Sequence, residues 1–181
     1  MKKILAFSSS NSKNSINHHL VSYVAGTILN HEVNVIRLID YDLPMFSEDL
    51  EKEKGYPLNL QMLKNVIDAH DAIIISVNEH NRGPSAFFKN IMDWLSRMDR
   101  YFLKEKKALV MSASTGANAA RASLAYTKDT LFPRFGAEVL ESFGFPSFNE
   151  NFDLEANKIT DELLYLGLTE VVHNFEQQLN F

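Results

Sequence analysis

Short apolar runs alternate along the chain with stretches in which apolar residues recur every three or four positions. Lys3–Ser8 (KILAFS) is an apolar run that ends in serines, the pattern of a buried strand. From Ser15 to Leu29, apolar residues stand at Ile16, Leu20, Val21, Val24, Ala25, Ile28 and Leu29. That 3.6-residue period predicts a helix with Ser15 as its N-cap. Val33–Leu38 (VNVIRL) is β-branched and alternating, a second strand. Residues 40–59 break the pattern with Pro44, Gly55 and Pro57; their charged run EDLEKEKG reads as solvated surface, in a connector long enough to be functional or partly helical. Leu60–Ala69 returns to the helical period, and Ala72–Val77 (AIIISV) is a continuous apolar run, a strand buried on both faces. Ser85–Met98 predicts a strongly amphipathic third helix and Ala108–Ser112 a fourth strand. Ala119–Phe135 predicts a fourth helix whose last turn Pro133 must distort or end. Ala137–Phe143 is a fifth strand. Thr160–Leu179 is a last helix, with Thr160 as its cap and Asp161 and Glu162 at the positive end of its dipole.

Strands this short, joined by helical crossovers, must run parallel. Right-handed crossovers place helices on both faces, so the fold class is α/β with a doubly wound five-stranded sheet. Strand order 2-1-3-4-5 suits five strands better than the six-stranded dinucleotide-binding order. Ligands of such sheets bind beyond the carboxyl ends of the strands, which directs attention to the loops after strands one, three and four.

Composition narrows the chemistry. The 181 residues form a single domain, 1–181, and 45% hydrophobic with 23% charged residues supports a buried core. No apolar run approaches the roughly 18–20 residues of a membrane span, and the apolar N-terminal stretch is too short for a signal peptide, so the expected setting is the cytoplasm. Absence of cysteine excludes thiol catalysis, disulfides and iron–sulfur clusters. A net charge of −5 gives no general attraction to nucleic acid or anionic lipid. His18 and His19 are adjacent and diverge on a helix, and no HExxH or carboxylate cluster offers a metal site. No GxSxG elbow is present.

Eight of the ten residues from Ser8 to Asn17 are Ser or Asn, and they run into the start of the first helix. Free N–H groups there suit a phosphate, although the loop is neither a Walker A motif nor GxGxxG. The third-strand loop, Asn78-Glu79-His80-Asn81-Arg82-Gly83-Pro84-Ser85, lines the crevice with polar groups, and Gly83 and Pro84 are expected to fix its turn. The fourth-strand loop, Ser112-Ala113-Ser114-Thr115-Gly116, is built of small residues that let a flat ligand approach, and Gly116 is expected to supply a positive φ.

Taken together, these loops resemble the NAD(P)H-dependent FMN reductase family, a branch of the flavodoxin-like fold. The family pattern G-S-x-R-x-x-S-x-N aligns with Ser9–Asn17, and P-E-Y-N with Asn78–Asn81. At the family's spacing there follows Phe88-Lys89-Asn90-Ile91-Met92-Asp93-Trp94. The connector Asp42-Leu43-Pro44-Met45-Phe46 is similar too, and the resemblance covers residues 1–145. It implies FMN as cofactor, with Ser10, Ser12, Ser15, Ile16 and Asn17 on the phosphate. Asn78, Glu79, His80 and Asn81 would border the isoalloxazine ring, and Ser114, Thr115 and Gly116 would lie beneath or beside it. NAD(P)H is the implied co-substrate, and Arg82 is expected to meet its phosphate or an acidic substrate. The implied activity passes a hydride from NAD(P)H through FMN to a small acceptor: a flavin, quinone, azo or nitro compound, or metal oxyanion. The flavin carries the chemistry, so no catalytic side chain is expected. Homodimers or homotetramers are implied, with the third helix near the contact.

The chain departs from the family at Ser12, where an Arg is usual, at Asn78 and His80, where Pro and Tyr are usual, and at Ala119-Ala120, where paired glycines are common. These departures leave two alternatives: a relative with weakened flavin binding that acts as an interaction module, and a one-electron carrier of the flavodoxin type. The physiological acceptor, and NADH against NADPH, are not written in the motifs.

Overall fold

Ile74 and Ile75, neighbours on the third strand, are both fully buried against opposite helical layers. The computed structural model describes residues 1–179. Strands β1 (Lys3–Ser8), β2 (Glu32–Val35), β3 (Ala72–Val77), β4 (Lys107–Ala113) and β5 (Glu138–Phe145) form one parallel sheet in the order β2-β1-β3-β4-β5. This is the flavodoxin-like arrangement. β1 pairs with β2 on one side and β3 on the other, so the winding reverses at its carboxyl end.

Among the described residues, eight α-helices surround the sheet: α1 (Ile16–Thr27), α2 (Glu48–Lys54), α3 (Leu58–Asp68), α4 (Ala86–Met98), α5 (Arg121–Tyr126), α6 (Phe132–Arg134), α7 (Phe148–Asn151) and α8 (Glu162–Leu179). Strand residues alternate between two cores. Leu5, Phe7, Ile73, Ile75 and Val110 pack with Leu63 of α3 and Phe88, Ile91 and Leu95 of α4. Ile4, Ala6, Ile74, Leu109 and Met111 pack with Leu20 and Val24 of α1 and Phe175 of α8. Each such buried side chain contributes about 1.5–3 kcal/mol of transfer free energy. No helix among the described residues is long and apolar enough to cross a membrane.

Several elements differ from the sequence pattern for local reasons. β2 stops at Val35, because Leu38 turns into the core within a 3-10 turn, Leu38–Asp40. The charged connector contains a helix, α2, with no buried residue; the Ser47 hydroxyl accepts the Leu50 N–H and Gly55 ends it at φ 70°. The helix expected over 119–135 is interrupted by a π turn, Thr127–Leu131, in which the Phe132 N–H reaches back to the Thr127 carbonyl just before Pro133. α8 starts at Glu162 because Asp161, not Thr160, accepts the Leu164 N–H. The loop expected after β5 holds α7 and a small antiparallel pair, β6 (Phe152–Asp153) and β7 (Lys158–Ile159). Its stacked Phe148 and Phe152 fill the edge of the α1 core.

Candidate functional site

The loop after β1 leaves the sheet at Ser9, which is fully buried. Its N–H donates to the Ser76 carbonyl at 3.0 Å. Beyond it, Ser10 Oγ accepts the Ser12 N–H, Ser12 Oγ accepts the Asn14 N–H, and Ser15 Oγ accepts the His18 N–H. Each hydroxyl is therefore oriented by a local backbone donor, and among the described residues none of the three donates its own proton. They converge where α1 begins, and the first N–H groups of that helix, at Ile16 and Asn17, have no carbonyl one turn earlier to bond. Hydroxyl protons, free N–H groups and the positive helix end make a neutral anion cradle.

Asn17 has a different part. Its amide donates to the Ala113 carbonyl at 3.1 Å, and its Oδ1 accepts from Ser76 Oγ at 2.7 Å and from the Ala113 N–H at 2.8 Å. The buried side chain thus fastens the start of α1 to the ends of β3 and β4, and what it offers a ligand is its backbone N–H. Arg37, which the motifs did not single out, steadies the same loop by donating to the Lys13 carbonyl at 3.2 Å.

In the loop after β3, Asn78 and Ser9 hold each other, and Asn78 Nδ2 lies 3.2 Å from His80 Nε2. Since the Ser9 hydroxyl donates to Asn78 Oδ1, the Asn78 amide must present N–H to the imidazole, so Nε2 accepts and a neutral His80 carries its proton on Nδ1. The turn that follows is not fixed by Gly83 and Pro84. His80 and Gly83 exchange backbone hydrogen bonds of 2.9 and 3.1 Å, and the positive φ values fall on Asn81 (53°) and Arg82 (65°) between them. Glu79 turns the other way, its carboxylate accepting the Ser123 N–H at 2.9 Å and tying this loop to α5.

In the loop after β4, Ser114 Oγ donates to the Gly116 carbonyl at 2.8 Å, and the carbonyls of Ser114 and Gly116 accept from Phe148 and Ser147 of the α7 segment. Gly116 does not supply the positive φ expected of it. That conformation is taken by Ala119 (φ 51°) and Ala120 (φ 52°). A Cβ added at Gly116 would meet nothing within 4 Å, so what its glycine provides is a low surface next to Thr115.

The three loops enclose a cavity of about 340 Å³ at the carboxyl edge of the sheet. Ser10, Ser12, Ser15, Ile16, Asn17, Asn78, Glu79, His80, Ser114 and Thr115 line it, together with Asn14 and Ala113, which the motifs did not mark. Asn81 and Gly116 lie outside that lining, and Arg82 lines a neighbouring cavity that shares Glu79. A flavin mononucleotide suits the donor set: hydroxyl and N–H donors gather on loop one, and small or polar side chains line the cavity from the other two loops.

Known proteins resemble this chain in sequence and in fold. The sequence profile of the family described as NADPH-dependent FMN reductase matches residues 2–150. An uncharacterized protein of Mycoplasma pneumoniae is 30% identical over 149 residues, covering 80% of this chain and 87% of that protein. A quinone reductase of Escherichia coli is 33% identical over 85 residues, covering 47% of this chain and 45% of that protein, so the chain spans less than half of that relative's length. Among solved structures, the flavoenzyme NAD(P)H:(acceptor) oxidoreductase of Paracoccus denitrificans superposes with a TM-score of 0.78 at 24% identity, covering 98% of both chains, a likeness of fold. With a family profile spanning all three loops and all five strands of the parallel sheet, the chain belongs to the NADPH-dependent FMN reductase family.

Proposed function

We propose that the chain is an FMN-dependent oxidoreductase that passes a hydride from NAD(P)H to a small electron acceptor, a quinone before the other classes named above. The observation that carries this reading is the cavity at the winding reversal, where ten of the residues assigned to the cofactor by family resemblance converge. The similarity to a quinone reductase supports the choice of acceptor.

When bound, FMN would supply a two-electron centre able to take and return a hydride. The protein's part is to bind, orient and tune. Ser10, Ser12 and Ser15 would hold the phosphate through their free hydroxyl protons, and the Ile16 and Asn17 N–H groups would add two more donors. These neutral groups stand where the family commonly has an arginine. Asn78 and His80 wall one side of the ring space and Thr115 another. The His80 N–H is engaged by Gly83, so of this loop's backbone donors beside the cavity the Glu79 N–H is the one that could meet an acceptor atom of the ring. No protein nucleophile is required, in keeping with a chain that lacks cysteine. Assembly into a homodimer or homotetramer and residence in the cytoplasm belong to the same proposal.

The test is direct. Purified protein is mixed with FMN, desalted and examined for flavin absorbance, then assayed for NADH and NADPH oxidation with and without a quinone. Retained flavin and quinone-dependent turnover are expected. Flavin that is retained without nicotinamide oxidation points to a one-electron carrier, and a colourless protein rejects the reading.

A further inference from the structure

Beside the cavity just described lies a second of about 190 Å³, and Glu79 lines both. The remaining walls of the smaller space are Arg82, Asn118, Arg121 and Ala122. Two guanidinium groups and one carboxylate give it a formal charge of +1, in a chain whose net charge is −5. The carboxylate is already engaged, since Glu79 accepts the Ser123 N–H at 2.9 Å. The guanidiniums are not: among the described residues neither Arg82 nor Arg121 has a side-chain hydrogen bond or an ion pair.

Both arginines are delivered by backbone that other residues would adopt at lower cost. Arg82 occupies the second position of a two-residue turn with φ 65°, where Asn-Gly is the low-strain sequence, and here glycine stands one place later at 83. Arg121 follows directly on Ala119 and Ala120, both left-handed. Asn118 closes the loop from the other end, its carbonyl accepting the Arg121 N–H at 3.0 Å. A guanidinium presents a planar fork of N–H donors that matches phosphate, sulfonate and carboxylate oxygens, and two of them facing one small space suit an anion larger than a halide.

We propose that Arg82 and Arg121, with Asn118, form an anion subsite at the mouth of the flavin cavity that selects a redox partner carrying a phosphate, sulfonate or carboxylate. This rests on reading the larger cavity as the flavin site. One chemistry has two sources here, the ribose phosphate of NADPH and an acidic group on the electron acceptor. Substrate pairs that differ in the anionic group distinguish them.

FMN-loaded wild type, Arg82→Ala and Arg121→Ala are compared for flavin content, thermal midpoint and kcat/KM. One pair is NADPH against NADH with a neutral quinone. The other is 1,2-naphthoquinone-4-sulfonate against 1,2-naphthoquinone with NADH. Each substitution is expected to lower kcat/KM for the charged member of one pair about tenfold, the range of a lost charge-assisted hydrogen bond. The member that lacks the distinguishing anionic group, and the flavin content, stay unchanged. A shift in the first pair identifies the nucleotide phosphate, and a shift in the second the acceptor. Ratios unmoved in both pairs overturn the subsite, as does a parallel fall in all four substrates with loss of flavin. Calorimetric titration of 2′,5′-ADP and naphthalene-1-sulfonate separates this proposal from the flavin reading. If the wild type holds no FMN, arginine-dependent binding of either probe still upholds the subsite, and no binding rejects it.

Discussion

Ser9 and Asn78, 69 positions apart in the chain, exchange two hydrogen bonds: the Asn78 N–H donates to Ser9 Oγ at 2.8 Å, and that hydroxyl donates back to Asn78 Oδ1 at 2.5 Å. Both residues are buried, so the ends of β1 and β3 are joined where water does not compete. Ser9→Ala strands the backbone N–H and the amide oxygen of Asn78 together. We expect a loss of about 1–3 kcal/mol of stability, read from urea unfolding, since buried polar groups without partners carry that penalty. An unchanged unfolding midpoint would contradict the pairing.

The same chain of donors sets the imidazole beyond it. At a pH where His80 is neutral, its ¹⁵N shifts should show the proton on Nδ1. In Ser9→Ala the Asn78 amide is free to turn, and the preference should weaken. A wild-type spectrum with the proton on Nε2 would show that the amide faces the other way.

Asn17→Ala removes three hydrogen bonds at once and leaves the Ala113 N–H and carbonyl and the Ser76 hydroxyl unsatisfied. We expect a cost of about 2–4 kcal/mol, at the high end for single substitutions. Ser15→Ala removes an N-cap and should cost about 1 kcal/mol. The ligand readout separates the two positions. Ser15→Ala loses a donor to the phosphate and should weaken FMN measurably, even under conditions where the protein remains fully folded.

Ala119 and Ala120 sit in the left-handed region at φ 51° and 52°. That region costs an L-residue about 1–2 kcal/mol, whereas glycine enters it freely at an entropic cost of about 0.5–1 kcal/mol. Ala119→Gly and Ala120→Gly should therefore each raise stability by about 0.5–1 kcal/mol. A drop in the thermal midpoint for both would mean that the alanine methyl groups contribute more by packing than the backbone loses.

Burial holds the His18 imidazole below its ordinary pKa, with Arg37 and His19 adding to the effect and Asp40 opposing it. Its Nδ1 is buried without a hydrogen-bond partner. Just below the ordinary value of about 6.5 the unfolded chain then binds a proton that the folded chain refuses. Stability should fall as pH drops through that window and stop falling, for this group, below the folded-state value. Urea midpoints between about pH 7 and about pH 5 should decline more steeply for wild type than for His18→Gln. Parallel curves would remove His18 from the account.

The order and direction of the strands were legible because β3 and β4 are buried on both faces and read as continuous apolar runs, while α1 and α4 carry a clean helical period. The site was legible as three loops, since their polar residues end apolar strands. What those residues do was less so. Asn17 and Asn78 match family positions for the cofactor, yet each side chain is largely occupied in fastening strands together, and hydrogen-bond partners 59 to 96 positions away leave no trace in local pattern. Left-handed backbone was expected at Gly116, following residue preference; tertiary contacts placed it instead on Ala119, Ala120 and Arg82. The charged connector was long enough to hold a helix, but the position of that helix was not legible because none of its residues is buried, so no apolar stripe marks it.

The fastening at Asn17 joins α1 to Ala113, 96 positions along the chain. A cradle made from such distant pieces does not exist until the sheet has closed from β1 to β4, so a partly folded chain has nothing with which to hold a ligand. Whatever binds there stabilises the native state alone. Contacts that are absent from the folding transition state act on the rate of unfolding alone, and those that span distant strands are expected to be among them. Occupancy of the site is thus a kinetic lock, lengthening the lifetime of the folded chain without hastening its formation.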